Sequence, residues 1–288
     1  MTPAAMPVTS GSMTGSVADS AAHSAAIPAK DPAPITHVVC DCDGVLVDSE
    51  AIAYAALVEA LGARLHHPAL AEAVQDRLGL TIETLIAQVA AETGDTLAPD
   101  DIAVLRERVE DAVRDRQTAV PGIAAALGAL SQPVAVASNS SLARVREAVA
   151  RCGIGHIVGE RLYTAEVVGA AKPAPGVYLA ACAGFGAAPG DCLAVEDSVA
   201  GVTAAARAGL RVLGFAGGTH ITAGPAGAAR LAGHIGRLRA AGARHVFDDM
   251  HALPAIIRAL SRGETPGDAN GWIRLSDVDA PSPDHSAP

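Results

Sequence analysis

Aromatic residues are scarce in this chain of 288: three Phe, three Tyr and one Trp, or 2% of the total. A core must therefore be assembled from Ala, Val, Leu and Ile, and a hydrophobic content of 50% supplies enough of them. The same scarcity argues against a site that holds a nucleobase by stacking. No cluster of Lys or Arg stands out, and the formal net charge is -10. That balance excludes nucleic acid and anionic membranes as expected partners. No run is long and apolar enough to span a bilayer. No apolar h-region follows a charged n-region at the start, so neither a signal peptide nor a transit peptide is expected. The five cysteines, at 40, 42, 152, 182 and 192, form an odd set outside any secretory context. They predict a reduced, cytoplasmic protein. Cys40 and Cys42 lack a second Cys/His pair at zinc spacing, and both read as strand residues.

Residues 1–34 are rich in Ala, Ser, Thr, Pro and Gly and read as a disordered tail, as does the Pro/Asp/Ser-rich stretch 263–288. Between them, short β-branched or apolar runs at 36–40, 134–137, 192–195, 211–215 and 245–247 predict strands. Helical patterns at 142–152, 176–184 and 199–208 separate them. Leu231, Ile235 and Leu238 suggest one more helix within 216–243. This alternation predicts an α/β fold with a Rossmann-like parallel sheet covered on both faces. Residues 49–118 break the pattern, with three helical stretches at 50–61, 81–92 and 100–117 and no strand. Ile102, Leu105, Val109 and Val113 recur at helical spacing, behind Pro99, Asp100 and Asp101 at the helix start. The expected organisation is a core of 35–48 and 119–262 interrupted by an all-helical cap at 49–118.

Several strands end in polar clusters: Asp41-Cys42-Asp43-Gly44, Ser138-Asn139-Ser140 and Glu196-Asp197-Ser198. Ligands bind outside the carboxyl ends of strands in such sheets, so these clusters should converge. Taken singly, each has an ordinary explanation. An isolated D-x-D is commonly a solvated loop pair, Ser138 and Glu196-Asp197 would serve as helix caps, and Lys172 as a solvated lysine. Two carboxylates placed together need a cation or a shared proton.

The run Asp41-Cys42-Asp43-Gly44-Val45-Leu46-Val47-Asp48-Ser49-Glu50 resembles the first motif of the haloacid dehalogenase superfamily. Ser138, Lys172 in Lys172-Pro173-Ala174-Pro175, and Glu196-Asp197 resemble its second, third and fourth motifs, in order. The resemblance spans about 35–215. It implies a phosphatase in which Asp41 attacks phosphorus and forms an aspartyl phosphate, while Asp43 serves as acid and then base. It implies Mg²⁺ held by Asp41, Asp197 and the Asp43 carbonyl, with Glu196 assisting, and a phosphate clamp of Ser138, Asn139, Lys172 and the Gly44 turn. Asp43 separates this chain from the dehalogenases, which lack that second aspartate. Gly176 stands where an acid usually supports the lysine, a departure that bears on how Lys172 is positioned.

The implied substrate is a small phosphorylated metabolite: a sugar, sugar-acid or polyol phosphate. A β-phosphoglucomutase-like mutase is the alternative on the same scaffold, and a non-catalytic binding protein on the same fold is a further one, disfavoured because all the catalytic residue types are present. Ala53 and Ile82 replace the histidine and arginine of that branch, which favours hydrolysis. Ser49, Glu50, Gly79 and Thr81 are the candidates from the cap for facing substrate, with Thr81 equally suited to cap a helix. His220, after a strand end, reads as a solvated loop histidine.

Overall fold

The computed structural model describes residues 34–77, 82–218, 221, 227–268 and 271–273. Seven strands form one sheet in the order β3-β2-β1-β4-β5-β6-β7, and every pairing is parallel. They are β1 (His37–Cys40), β2 (Val134–Ser138), β3 (Leu162–Thr164), β4 (Cys192–Glu196), β5 (Arg211–Phe215), β6 (His245–Phe247) and β7 (Trp272–Ile273). The central strands are buried on both faces, hence their unbroken runs of Val, Ala, Leu and Cys.

One face packs Val38, Val136, Leu193, Leu213 and Phe247 against helices Ile123–Gly128, Leu142–Arg151 and Leu253–Ser261. The other packs Val39, Ala135, Ala137 and Ala194 against helices Gly176–Phe185, Val199–Ala208 and Gly227–Ala241. That second face is lined by small residues, and the alanine-rich helices can approach it closely. Leu238 is buried and Leu231 and Ile235 pack beside it, as their spacing predicted. Aromatic mass is concentrated where it counts: Tyr178, Phe215 and Phe247 are among the largest fully buried side chains. The five cysteines are all buried thiols. Among the described residues, no helix is long and apolar enough to cross a membrane.

The chain leaves the sheet directly after β1. It runs through helices α1 (Glu50–Gly62), α2 (Leu70–Gln75), α3 (Ile82–Glu92) and α4 (Pro99–Arg116) before returning. These helices have a core of their own, from Ala56 and Leu57 to Val109 and Val113. Pro99 opens α4 with Asp100 and Asp101 in its first turn, and Arg114 and Arg116 close it, in accord with the helix dipole. The two ends of the insert lie side by side. Asp48 N donates to Thr118 O (2.9 Å), Val120 N donates to Leu46 O (2.9 Å), and Val47 bridges Ala119.

Three sequence expectations change. The stretch 263–288 is not uniformly loose: Trp272 and Ile273 pair with Val246 and Phe247 and extend the sheet by one strand. Leu162–Thr164 is a strand that a three-residue run between turns did not announce. Cys42 lies in the loop after β1 rather than in the strand, yet it is buried in the core. The expectation for 1–33 and the rest of that for 274–288 fall outside the described residues, as do Gly79, Thr81 and His220.

Candidate active site

Register brings the polar strand ends together. Cys40 pairs with Val195 on one side and Val136 on the other. The residue after each of these runs then emerges at the same edge: Asp41 from β1, Glu196 from β4, and Ser138 one position further along β2. Strand order reverses about β1, and in open α/β sheets such a switch point is where ligands bind, outside the carboxyl ends of the strands.

Asp41, Glu196 and Asp197 place carboxylate oxygens within 4.8 Å of one another. Lys172 Nζ donates to Asp41 Oδ1 (2.7 Å) and to Glu196 Oε1 (2.6 Å), with all three residues buried. Burial pushes the Asp41 carboxyl up to about 7, Glu196 pushes in the same direction, and Lys172 opposes them. Burial and then the charges of Asp41, Glu196 and Glu50 likewise hold Asp197 well above the ordinary carboxylate range. Burial alone would pull the Lys172 ammonium down, but Asp41 and Glu196 together keep it above its usual value. One ammonium thus faces three crowded carboxylates. That excess of negative charge on oxygen donors is the environment a hard divalent cation fits.

Two glycines exist because those carboxylates need the space. A Cβ on Gly44 would lie 1.8 Å from Asp197 Oδ2, and the residue's φ is +81°. A Cβ on Gly201 would lie 1.9 Å from Glu196 Oε1.

Asp43 is half-buried and turned toward the start of helix Leu142–Arg151. Ser140 Oγ donates to its Oδ2 (2.6 Å), and Arg144 Nη2 donates to its Oδ1 (3.4 Å). Ser138 is buried, and its Oγ accepts from Ser140 N (3.0 Å). Asn139 Oδ1 accepts from Lys172 N (2.7 Å) and so ties the second polar cluster to the lysine loop. Ser49 is buried just ahead of α1, without a side-chain capping bond. Glu50 opens α1, and burial first, then Asp43 and Asp48, raise its pKa. Asp41, Asp43, Gly44, Ser138, Asn139, Lys172, Glu196 and Asp197 therefore gather at one strand edge, with Glu50 electrostatically coupled to them.

Lys172 is supported from elsewhere than position 176. Tyr178, fully buried, donates its phenol to Glu196 Oε1, and Lys172 Nζ sits 5.3 Å from the centre of its ring. Ser198 adds its hydroxyl to Glu196 Oε2 (3.1 Å) while its own oxygen caps helix Val199–Ala208 through Gly201 N (3.0 Å). Gly176 begins its helix packed on Val168, where a Cβ would meet Cγ1 at 3.0 Å. Tyr178 and Arg144 escaped the sequence reading, and Ser140 entered it only as a member of the polar cluster after β2. The signal of Tyr178 and Arg144 was spacing from a motif residue onto one helix turn, which a core residue shares.

A parallel sheet whose central strand ends in a lysine-held carboxylate, among further carboxylates and small-residue turns, defines a hydrolase site for an anionic ester. The chain belongs to the haloacid dehalogenase-like hydrolases, whose family pattern matches residues 35–209. It is similar to 6-phosphogluconate phosphatase of Escherichia coli K12, 29% identical over 190 residues, which is 65% of this chain and 85% of that protein. Among solved structures it resembles a conserved haloacid dehalogenase-like protein of unknown function from Agrobacterium tumefaciens. That match has a TM-score of 0.69 and 32% identity, covering 79% of this chain and 99% of that one. It also resembles a HAD family hydrolase from Deinococcus radiodurans with bound phosphate and sodium. There the TM-score is 0.66 and the identity 31%, covering 82% of this chain and all of that one.

Proposed function

We propose that this protein is a Mg²⁺-dependent phosphatase that hydrolyses a small sugar, sugar-acid or polyol phosphate through an aspartyl phosphate at Asp41. The observation that carries the reading is Lys172 bridging Asp41 and Glu196 beside Asp197. A phosphate monoester is doubly anionic, and a carboxylate nucleophile needs that charge cancelled. Asp41, Asp197 and the Asp43 carbonyl would hold the Mg²⁺, with Glu196 assisting, and the ion would supply charge neutralisation. Lys172 and the Ser138 hydroxyl would bind the remaining phosphoryl oxygens, with Asn139 holding the lysine loop in register. The Asp41 carboxylate forms a bond to phosphorus as the bond to the ester oxygen breaks. Asp43 gives that oxygen its proton, then takes one from the water that hydrolyses the intermediate. The similarity to a phosphatase of 6-phosphogluconate supports the substrate class.

We further propose that residues 49–118 act as a lid, bending at 49–53 and 117–120 to exclude water while the intermediate forms. Its placement directly after the nucleophile loop supports this.

The test is turnover of p-nitrophenyl phosphate by the wild type, by the wild type after exhaustive chelation, and by Asp41→Asn. Chelation should stop the reaction, Mg²⁺ should restore it and Ca²⁺ should not, since its looser coordination misplaces the phosphate. Asp41→Asn should lose at least about 10²-fold, as removal of a group that touches the reacting atoms does. Full activity of either the chelated enzyme or the amide variant would sink the proposal.

A further inference from the structure

The site's cations are unequally committed. Among the described residues, the cations in contact with its carboxylates are Lys172 and Arg144. Lys172 is spent on Asp41 and Glu196 at the phosphoryl end. Arg144 stands at the other end, in the first turn of helix Leu142–Arg151, with its backbone N–H on the Ser141 cap. It touches Asp43 through a single nitrogen at 3.4 Å, while Ser140 holds the other carboxylate oxygen at 2.6 Å. Asp43 is thus anchored by the serine and only brushed by the arginine. A guanidinium carries five N–H donors in a planar fork. No second side-chain partner engages Arg144 among the described residues, and its side chain is 40% exposed.

The position relative to substrate follows from the role of Asp43. A proton donor must lie within hydrogen-bond reach of the leaving oxygen, so Arg144, in contact with that donor, lies within roughly two hydrogen-bond lengths, about 6 Å, of the same oxygen. Lys172 already serves the phosphoryl end, which leaves Arg144 to the leaving group. The neighbourhood of Asp43 is otherwise acidic, since Glu50 feels the charges of both Asp43 and Asp48. An anionic leaving group would be repelled without the arginine, whereas its hydroxyls would find acceptors. A fork-shaped cation with free edges matches a carboxylate in two-point contact.

We propose that Arg144 reads a carboxylate on the leaving half of the substrate, and that the preferred substrate is a phosphorylated sugar acid; this rests on the phosphatase reading and narrows it.

The test compares 6-phosphogluconate with sorbitol 6-phosphate, which carries CH₂OH in place of the carboxylate. Turnover is measured for wild type, Arg144→Met and Arg144→Lys, and binding of both ligands is measured by calorimetry on Asp41→Asn. The wild type should favour the acid in kcat/KM by about tenfold or more, the scale of a charged pair in a closing site. Arg144→Met should bring the ratio to near one, and Arg144→Lys should keep part of it, since lysine retains charge but not the fork. Binding to Asp41→Asn should show the same preference, lost in the double variant with Arg144→Met. Thermal melting confirms that each variant is folded. A wild-type ratio near one overturns the proposal. So does an equal loss on both substrates in Arg144→Met, which would assign the arginine to holding Asp43 alone. If the wild type does not hydrolyse p-nitrophenyl phosphate, the phosphatase reading itself has failed; hydrolysis without preference refutes only the role of Arg144.

Discussion

Gly44→Ala separates backbone cost from chemical cost at one position. At φ +81° an alanine enters the left-handed region, which costs about 1–2 kcal/mol for a residue with a Cβ. The new methyl would lie 1.8 Å from Asp197 Oδ2 and 2.5 Å from its Cγ. Restoring ordinary contact needs a retreat of roughly 1.5 Å. The obstructing group is the end of a side chain, so it swings aside at little expense to the fold. It then leaves the place where Asp41 and Glu196 meet it. Disturbing the surroundings of a metal ligand weakens metal affinity by about 10–100-fold. The Mg²⁺ concentration for half-maximal turnover should rise by that factor, while urea unfolding in EDTA reports a loss of only about 1–2 kcal/mol. Gly122→Ala is the control. Its φ is +83°, and its Cβ would meet the exposed His251 ring, 2.6 Å from Cε1. It should show the same stability loss with an unchanged Mg²⁺ requirement. A normal Mg²⁺ requirement in Gly44→Ala would refute the reasoning, because Asp197 would then not need the space the glycine leaves.

Lys172→Met should destabilise the protein by about 3–5 kcal/mol at neutral pH, since it strips the cation from two buried carboxylates; an unchanged urea midpoint would contradict that. Tyr178→Phe should cost about 1–3 kcal/mol by removing the phenol from Glu196 while keeping the ring beside Lys172. Its kcat should fall with KM nearly constant, and an equal effect from Phe185→Leu, on the same helix, would reduce it to general packing. His245 titrates below its ordinary 6.5, through burial first and then Arg244 and Arg239, and its Nδ1 is buried with no hydrogen-bond partner among the described residues. Folding therefore favours the neutral ring, and stability present above pH 6.5 should drain away as pH falls from 6.5 through the lower folded value. The urea midpoint of His245→Gln should fall less steeply across that window, and a steeper fall would reverse the assignment.

The elements that sequence announced are those whose identity is local. Val134–Ser138 and Cys192–Glu196 are continuous apolar runs that end in polar residues, which is how a strand buried on both faces must look. Val199–Ala208 is bracketed by Ser198 and by Gly209 in the left-handed conformation, so both ends were legible. Leu162–Thr164 and Trp272–Ile273 were not, because two or three residues cannot display an alternation, and each owes its strand to a neighbour's register. The site divides the same way. Residues fixed to strand ends or turns, Asp41, Gly44, Glu196 and Asp197, were readable from motif order. Tyr178 looks like a core aromatic until the fold puts Glu196 above it. Arg144 looks like a solvated helix arginine until β1 and β2 pair and present Asp43 to it.

The neck of the helical insert sets the mechanics of whatever it does. Its two strands of chain are joined edge to edge, by Asp48 N to Thr118 O, Val120 N to Leu46 O, and the bridge of Val47 with Ala119. Two separate tethers would leave the four helices free to twist, slide and tumble. A pair laced by backbone hydrogen bonds behaves as a flat strap, which flexes across its thin dimension and resists shear within its plane. For the lid movement proposed for residues 49–118, such a strap favours a nod across its thin dimension over sliding or tumbling.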